Sequence, residues 1–406
     1  MSTVRSLIPL LALVAGCADP DEARCTSRLS PTGNADKDQA ALDGVVSAAK
    51  RGAVICLRPG TYKLGNEVTL SQSNVELRGL LGGEAILDFT GQRRGANGVS
   101  AVGVDNFVIA NLKVKNTAGD GVRVTQGTGV TFSRVTVEWD APEETQNGAY
   151  GIYPVQSRFV LVDRCRVKGA SDAGIYVGQS SSIVVRNSEA EKNVAGIEIE
   201  NSTWSEVYGN YSHDNTGGIL VFDLPGLTTS GRRSNVHDNR FWNNNTRNFA
   251  EPSGAVAIVP TGTGVMIVSS DENELHHNDI RGNDSLGVAV ASYALAMRKY
   301  DDPKYDAFPE GNYVHDNQLA GNGKAPSGIA AQIGALVGAR EIEDLLWDGL
   351  VDPKKGPSAG LRNCFQNNGK ATFRNLLGLD DKKGFPSTTD LATVDCKQTP
   401  LPVVKL

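Results

Sequence analysis

One short apolar phrase recurs along the middle of the chain, as Gly151-Ile152-Tyr153-Pro154, Gly174-Ile175-Tyr176-Val177, Gly196-Ile197-Glu198-Ile199 and Gly218-Ile219-Leu220-Val221. Successive copies begin 23, 22 and 22 residues apart. A strand of this length cannot bury its apolar side alone, and a fixed period lets each copy stack on the next. The repeat therefore predicts an all-β chain folded as a parallel β-helix, in which outward side chains form columns.

Composition and charge narrow the range of partners. The chain has 406 residues, of which 45 are glycine, and its formal net charge is −6 at pH 7. It contains no cluster of lysine and arginine, which argues against a nucleic-acid partner. After the N-terminal leader no apolar run approaches the roughly 18 residues of a membrane-spanning helix, so none is predicted.

The N-terminus has the pattern of a secretion signal, because its apolar run from Leu7 to Ala15 is too short to span a bilayer. The run leads into Val14-Ala15-Gly16-Cys17, which resembles the lipobox of bacterial lipoproteins. That resemblance implies lipid attachment at Cys17, and Ala18 after it implies sorting to the outer membrane. We therefore expect an envelope protein that contacts the membrane only through its lipid anchor. An ordinary signal peptide followed by an unrelated cysteine is the alternative.

Four parts are predicted along the chain: a signal peptide over residues 1–16, a tether over 17–36, a β-helix with an N-terminal cap over 37–328, and a capping tail over 329–406. The cap is predicted from a helical pattern that opens at Asp36 and ends at Gly52. Such a cap covers the strand edge and open core of the first coil. The tail is predicted to be irregular, because the period is lost after Gly328.

Five cysteines follow Cys17, in what would be an oxidising compartment. Cys364 and Cys396 flank the tail, which a disulfide between them would staple. Cys25 and Cys56 bracket the segment before the first strand and are candidates for a second pair. Cys165 lies within a repeat, and we expect it to be a small buried residue rather than a nucleophile.

Asparagines recur at two corners of the predicted coils, in the pattern Asn-x-h-x-x-Asn with h facing inward. The four matches begin at Asn210, Asn239, Asn278 and Asn317. We expect these asparagines to form ladders, in which each amide bonds the coil above and the coil below.

Histidines follow the same repeat. His237, His276 and His315 each lie two residues before an asparagine of that pattern, and His213 lies one corner later. Repetition at one position favours a structural column over metal ligation, so no firm metal site is predicted.

Three insertions interrupt the regular step, near residues 140–147, 224–234 and 297–310. Loops that leave a rigid scaffold on one side commonly form the walls of a binding site. The register beyond Asp223 stays open, because Ala255-Val256-Ala257-Ile258 fits the strand position in two ways.

Alignment of the coils on the repeated glycine defines the predicted site. Two residues after the glycine the side chain points outward, because its apolar neighbours on both sides point inward. Coils stack about 4.8 Å apart, so outward residues of successive coils should form one patch. We expect an exposed patch made of Tyr153, Tyr176, Glu198, Glu200, Asn201 and Asp223.

The residue types in this patch suit sugar recognition, because aromatic rings pack against the C–H faces of a pyranose while carboxylates and amides bind its hydroxyls. The substrate-binding candidates are Arg123, Tyr153, Asp172, Gln179, Asn201 and Asp223. The catalytic candidates, for proton abstraction next to a sugar carboxylate, are Glu198, Glu200, Lys192 and Tyr176. No cofactor is predicted, although Ca²⁺ suits the same oxygens. An ordinary solvated surface is the alternative.

Two parts of the sequence resemble known families. A helix followed by Arg58-Pro59-Gly60-Thr61-Tyr62 is similar to the N-terminal cap of secreted right-handed parallel β-helices such as pectate lyases and alginate epimerases. The coils from Asn147 to Val268 resemble uncharacterised β-helix lipoproteins of bacterial envelopes, which are often encoded beside a c-type cytochrome lipoprotein. These resemblances imply a right-handed helix and name a cytochrome as a candidate partner. The Asp-Pro-His-Asp phrase of alginate epimerases is absent.

Two hypotheses on function follow. In the first, the outward strand face recognises an anionic polysaccharide, with modification of lyase or epimerase type as its catalytic form. In the second, the same face is a non-enzymatic module that docks an envelope protein such as the cytochrome.

Overall fold

A computed structural model describes residues 22–296, 299–356, 358–378 and 380–406. Cys17, where lipidation is predicted, and the signal peptide lie outside these residues. Within them the chain winds as a parallel β-helix. Each regular coil contributes one strand to a sheet of eleven strands and two to a sheet of twenty.

The strands and helices have the following bounds. The strands are β1 (Ser27–Leu29), β2 (Val54–Leu57), β3 (Gly60–Lys63), β4 (Asn66–Leu70), β5 (Glu76–Gly79), β6 (Ala85–Asp88), β7 (Arg94–Val102), β8 (Val108–Lys115), β9 (Val122–Thr125), β10 (Thr128–Glu138), β11 (Tyr150–Val155), β12 (Arg158–Asp163), β13 (Arg166–Lys168), β14 (Ala173–Gly178), β15 (Ser181–Arg186), β16 (Glu189–Glu191), β17 (Ala195–Glu200), β18 (Thr203–Tyr208), β19 (Tyr211–His213), β20 (Gly217–Phe222), β21 (Arg232–His237), β22 (Arg240–Trp242), β23 (Thr263–Val268), β24 (Glu274–His276), β25 (Asp279–Arg281), β26 (Leu286–Ala291), β27 (Tyr313–His315), β28 (Gln318–Ala320), β29 (Leu345–Trp347), β30 (Cys364–Gln366) and β31 (Phe373–Asn375). The α-helices are α1 (Ala35–Ala48) and α2 (Gly328–Val337), and 3₁₀ turns cover Glu22–Arg24, Ala255–Ile258, Tyr293–Ala296, Ala359–Leu361, Asp381–Lys383 and Leu391–Thr393.

The recurring apolar phrase forms the eleven-strand sheet, which we call the front sheet. It contains β4, β7, β9, β11, β14, β17, β20, β23, β26, β29 and β31. Ile175 pairs with Ile197, which pairs with Ile219, and all three are at most 1% exposed in the core of the helix. The predicted register is therefore confirmed, and the long apolar column explains why the strands stack.

The N-terminal cap forms as predicted in kind, but not in its bounds. Helix α1 begins at Ala35, because the side chain of Asn34 accepts a hydrogen bond from the backbone N–H of Lys37 at 3.1 Å. The tether predicted over 17–36 is too long. Strand β1 already pairs with β2, and a disulfide joins Cys25 to Cys56 beside that pair.

Asparagine ladders run through the corners, which confirms that prediction. In each ladder the Nδ2 of one residue donates to the Oδ1 of the next coil at 2.8–3.1 Å. The ladders consist of Asn193, Asn215, Asn244, Asn283 and Asn322; of Asn210, Asn239, Asn278, Asn317 and Asn368; and of Asn273, Asn312 and Asn363.

The histidine column is also present. The rings of His237, His276 and His315 stack with centroids 5.0 and 5.1 Å apart and with interplanar angles of 8° and 12°. Burial lowers the pKa of His276 to about 4, so the middle ring is neutral at pH 7. His213 lies apart from this column, stacked on Tyr211.

The C-terminal region is more regular than predicted. Parallel pairing continues past Gly328, since β29 pairs with β26, β30 with β27 and β31 with β29. The disulfide between Cys364 and Cys396 is present. The last residues then run back along the outside of the helix, where the backbone N–H groups of Leu401 and Val404 donate to the carboxylates of Glu274 and Glu206 at 2.6 and 2.8 Å.

The expectation that Cys165 is a small buried residue is met. Cys165 is a free thiol, 2% exposed, and burial raises its pKa to about 12, which suits a packing residue and not a nucleophile. Among the described residues no helix combines the length and the apolar character needed to cross a membrane.

Candidate functional site

Three neighbouring strands of the front sheet, β11, β14 and β17, bring the predicted site together. Tyr176 pairs with Glu198, and Gly178 pairs with Glu200, so the outward side chains stand in adjacent columns. Gly178 is required here, because a Cβ at this position would lie 2.1 Å from the hydroxyl of Tyr176. The Tyr176 ring lies over Gly178, and its hydroxyl donates a hydrogen bond to Glu200 Oε1 at 2.7 Å.

The patch is buried, so the expectation that it is exposed is wrong. Tyr176 is 3% exposed, Glu198 is 1% exposed and Glu200 is 9% exposed. These residues do point away from the core of the helix, as the alternation requires. They are covered because other parts of the chain fold over the outer side of the front sheet and form a second apolar cluster there.

The main cover is the segment of residues 243–262, between β22 and β23, which we call the cover segment. Its Phe249, Val256 and Val259 belong to the same cluster of buried residues as Tyr176 and Leu220. The insertion at residues 140–147 fixes it, since Thr145 Oγ1 donates to the Phe249 carbonyl at 2.9 Å. The Ala255–Ile258 run, which fits two registers as a strand, is a 3₁₀ turn within this segment.

Asp172, Glu198 and Glu200 form a carboxyl row, in which Glu198 and Glu200 are buried and Asp172 is half-buried. Burial first, and then the carboxylates of Asp172 and Glu200, raise the pKa of Glu198 well above its usual range. Burial raises the pKa of Asp172 to about 7 and also raises that of Glu200. Glu198 Oε2 and Asp172 Oδ1 have no hydrogen-bond partner among the described groups. A proton on Glu198 supplies the donor that the row otherwise lacks, which agrees in direction with its raised pKa.

Three tyrosine rings pack beside the carboxyl row. The centroids of Tyr150 and Tyr153 are 4.4 Å apart, and those of Tyr153 and Tyr176 are 4.9 Å apart. Tyr150 donates to Asp172 Oδ2 at 3.4 Å. Burial raises the pKa of both Tyr150 and Tyr176 far above the usual range, so they act as neutral donors and not as bases.

One edge of the site is formed by Asp120, Arg123 and Tyr153, which we call the rim, and Asp120 is 8% exposed there. The Arg123 side chain is 41% exposed, its guanidinium lies 4.9 Å from the Tyr153 ring centroid, and its Nη1 lies 3.6 Å from Asp120 Oδ2. Burial raises the pKa of Asp120 to about 6, and the charge of Arg123 opposes that rise. Sequence reasoning missed Asp120, because it precedes the strand and lies outside the aligned columns.

Three of the predicted substrate contacts hold the second insertion in place instead. Asn201 Nδ2 donates to Asp223 Oδ1 at 2.6 Å and to the Leu224 carbonyl at 2.9 Å. Gln179 Oε1 accepts from the hydroxyl of Thr228 at 2.8 Å. Asn201 Nδ2, Asp223 Oδ1 and Gln179 Oε1 are therefore engaged within the chain.

Lys192 also lies away from the carboxyl row. Its ammonium forms an ion pair with Glu143 Oε1 at 3.9 Å, in the first insertion. This contact links a corner of the helix to the loop that fixes the cover segment.

A second group of carboxylates was not predicted. Ligand oxygens of Asp271, Asp306 and Glu310 lie within 4.8 Å of one another, an arrangement that suits a hard cation. The Lys355 ammonium pairs with both Asp306 and Glu310, so it already supplies positive charge there. Burial raises the pKa of Asp271 to about 8.

Comparisons with known proteins agree with this architecture. Residues 82–231 match the family model described as right handed beta helix region. The chain is similar to the A-module of the mannuronan C-5 epimerase AlgE6 from Azotobacter vinelandii, with 16% identity, 82% of this chain and 88% of that chain covered, and a TM-score of 0.51. The family match and this likeness establish the fold as a right-handed parallel β-helix.

Two further solved structures show lower similarity. The exopolygalacturonase from Thermotoga maritima has 11% identity, with 73% of this chain and 81% of that chain covered and a TM-score of 0.49. The alginate lyase from Paenibacillus sp. has 15% identity, with 73% and 97% covered and a TM-score of 0.48. No curated protein matches the chain in sequence.

Proposed function

We propose that the chain is an envelope lipoprotein, anchored through Cys17, which binds an anionic polysaccharide at the rim and modifies it by lyase- or epimerase-type chemistry. The observation that carries the proposal is the half-exposed guanidinium of Arg123, placed between the ring of Tyr153 and the carboxyl of Asp120. This arrangement offers a cation for a sugar carboxylate and two proton-transfer groups beside it.

The rim residues can divide the chemistry as follows. Arg123 binds the carboxylate of a uronate and stabilises the negative charge that develops there. Asp120, with a pKa of about 6, is partly ionised near neutral pH and takes the proton from the carbon next to that carboxylate. In a lyase, the adjacent C–O bond then breaks, a C=C bond forms, and Tyr153 protonates the leaving oxygen. In an epimerase, Tyr153 instead donates its proton to the same carbon, from the face opposite to Asp120.

The carboxyl row has a positioning role in this proposal. Glu198 is 1% exposed and lies out of reach of a polymer, and Glu200 is engaged by the hydroxyl of Tyr176. Glu200 orients Tyr176, and Asp172 orients Tyr150, because each carboxylate accepts a hydrogen bond from the tyrosine hydroxyl. These two rings in turn pack against Tyr153 and fix its orientation.

Replacing Arg123 by alanine is expected to weaken binding of alginate or pectate at least about tenfold, because loss of a charge-assisted pair costs about 1.5–3 kcal/mol. The measurement is titration calorimetry with and without Ca²⁺, together with absorbance of the unsaturated product. Arg158→Ala is the matched control, since Arg158 is an exposed arginine on β12 of the other sheet. Absence of binding to any polyuronate by the unaltered chain would contradict the proposal and favour the docking hypothesis.

Turnover is expected to rise with pH through about 6, because Asp120 must be ionised to accept a proton and its pKa is about 6. The measurement is kcat/KM against pH. Asp120→Asn should abolish turnover at every pH and leave polymer binding nearly unchanged. Turnover that is flat between about pH 5 and 8, where an Asp of this pKa changes its ionised fraction greatly, would remove Asp120 as the base.

A further inference from the structure

One coil of the histidine column differs from its neighbours in both partners of the histidine ring. In this middle coil His276 Nε2 lies 3.0 Å from Asn235 Oδ1, and His276 Nδ1 lies 2.7 Å from His277 Nδ1. In the two adjacent coils both ring nitrogens face carboxylates instead, those of Glu206 and Asp238 at His237 and those of Glu274 and Asp316 at His315. The middle coil therefore replaces one carboxylate by an amide and the other by an imidazole.

The first replacement leaves a lone pair on the middle ring. A histidine between two carboxylates satisfies both only when both of its nitrogens carry a proton, and such a ring cannot bind a metal. Asn235 Oδ1 can only accept, so in the neutral ring of His276 the proton lies on Nε2 and Nδ1 keeps its lone pair. A fixed acceptor on the second ring nitrogen is also what orients the histidine ligands of metal sites.

The second replacement directs another ring nitrogen at the same point. His277 has a left-handed backbone, with φ of 53°, as do Asp238 and Asp316 at the same corner of the adjacent coils. This corner turns each side chain back toward the histidine before it. The two Nδ1 atoms, 2.7 Å apart, share one proton. Because His277 is exposed, that proton can lie on its Nε2 instead, which leaves two lone pairs facing one space.

A structural role explains only the first replacement. Three charged rings stacked 5.0 and 5.1 Å apart would repel one another, and Asn235 allows the middle ring to stay neutral. A second imidazole is not needed for that purpose, because a hydroxyl or an amide at the corner would also bond to Nδ1. His277 therefore requires a separate explanation.

We propose that His276 Nδ1 and His277 Nδ1 bind a first-row transition-metal ion such as Zn²⁺, with water completing its coordination. Imidazole nitrogen is a preferred ligand of such ions. Zn²⁺ binds it at about 2.0–2.1 Å in tetrahedral geometry, which places two such nitrogens about 3.3 Å apart. A small rotation of the exposed His277 ring opens the pair from 2.7 Å to that separation. The pair follows β24 of the twenty-strand sheet, so this site goes beyond the function proposed for the rim on the front sheet.

The test is calorimetric titration of the unaltered chain and two variants with Zn²⁺ in a buffer that does not bind metals. His277→Asp restores the residue that the adjacent coils carry, so it is expected to fold. It should weaken Zn²⁺ binding at least about tenfold, or 1.4 kcal/mol, because its carboxylate takes a hydrogen bond from His276 Nδ1 and removes that lone pair. His213→Gln is the matched control, since both ring nitrogens of His213 face carboxylates, at 2.7 and 3.1 Å, and its affinity for Zn²⁺ should be unchanged.

A second measurement on the unaltered chain does not depend on a variant. The chain has five histidines, so their ring C–H signals can be resolved by NMR. Zn²⁺ should shift those of His276 and His277 most. Failure of Zn²⁺ to bind the unaltered chain, or unchanged affinity in His277→Asp, would overturn the proposal. Binding that leaves the ring signals of His276 and His277 in place would also overturn it, and would place the ion elsewhere.

Discussion

Replacing Asn278 by alanine is expected to lower the free energy of unfolding by about 3 kcal/mol or more, because it leaves several buried polar groups unpaired at about 1–3 kcal/mol each. Asn278 is 1% exposed and lies in the middle of its ladder. Its Nδ2 donates to the carbonyls of Val236 and His276 at 2.8 and 2.9 Å. Its Oδ1 accepts from both the backbone N–H and the Nδ2 of Asn239, at 3.1 and 3.0 Å.

The substitution is expected to remove hydrogen bonds of the neighbouring ladder residues as well. Loss of the side chain removes the single acceptor that two donors of Asn239 share, and it removes one donor to Asn317 Oδ1, so the coils on both sides are affected. The measurement is denaturant unfolding followed by circular dichroism. Gln318→Ala is the control, because Gln318 is exposed on β28 next to the same ladder. A loss in Asn278→Ala below about 1 kcal/mol, within the range of ordinary substitutions, would contradict the role assigned to the ladder.

Replacing Glu198 by glutamine is expected to stabilise the protein at high pH and to have little effect at low pH. Glutamine has nearly the shape of a protonated glutamic acid and cannot ionise. The carboxyl of Glu198 is fully buried, and burial raises its pKa well above the usual range. The unaltered chain therefore has to keep a proton on Glu198 in the folded state, and the variant does not.

The direction of this pH dependence follows from the linkage between proton binding and folding. Below about pH 4 the carboxyl is protonated in both states, and its titration costs no stability. As pH rises, the unfolded chain loses this proton while the folded chain keeps it, so the free energy of unfolding falls by up to about 1.4 kcal/mol per pH unit until the folded pKa is reached. The stability that the protonated group retains at low pH is thus lost as pH rises.

The measurement is the difference in unfolding free energy between Glu198→Gln and the unaltered chain. We expect this difference to be larger at about pH 8 than at about pH 5, because the pKa of Glu198 is raised in the folded state. Glu251→Gln, an exposed glutamate of the cover segment, should show no such trend. A difference that is independent of pH would mean that Glu198 is ionised and paired in the folded state.

The fold was predictable from the sequence because the apolar residues on one side of each strand repeat at a nearly fixed interval. Ile175, Ile197 and Ile219 must stack inward, which fixes the register of the front sheet and the outward columns. The ladders at Asn278 and Asn317 follow from the same repeat. The boundary at Gly328 was misplaced because the step lengthens: the ladder advances by 39 residues from Asn278 to Asn317 and by 51 from there to Asn368. Excursions of that length hide the period.

The environment of the site was not predictable from the repeat. The alternation of the strands shows that Tyr176 and Glu198 face outward, but it cannot show what lies over them. Their burial depends on where Phe249 and Val256 fold, and these are separated from Glu198 by about two coils of sequence. The one available signal was the apolar run Ala255–Ile258, of which Val256 is 1% exposed and Ile258 is 42% exposed. Asp120 gave no signal at all, since only its contact with Arg123 marks it.

The C-terminal segment runs back along the outside of the β-helix, and this changes the order in which the coils are expected to unfold. A solenoid normally frays from its last coil, which has one neighbour instead of two. Here the bonds from Leu401 to Glu274 and from Val404 to Glu206 tie β24 and β18, two coils apart, to the end of the chain. Unfolding of the last coil therefore requires breaking hydrogen bonds that the C-terminal segment makes to coils further inside the helix. Amide exchange in β27 and β30 should consequently resemble that of interior coils rather than that of a free end.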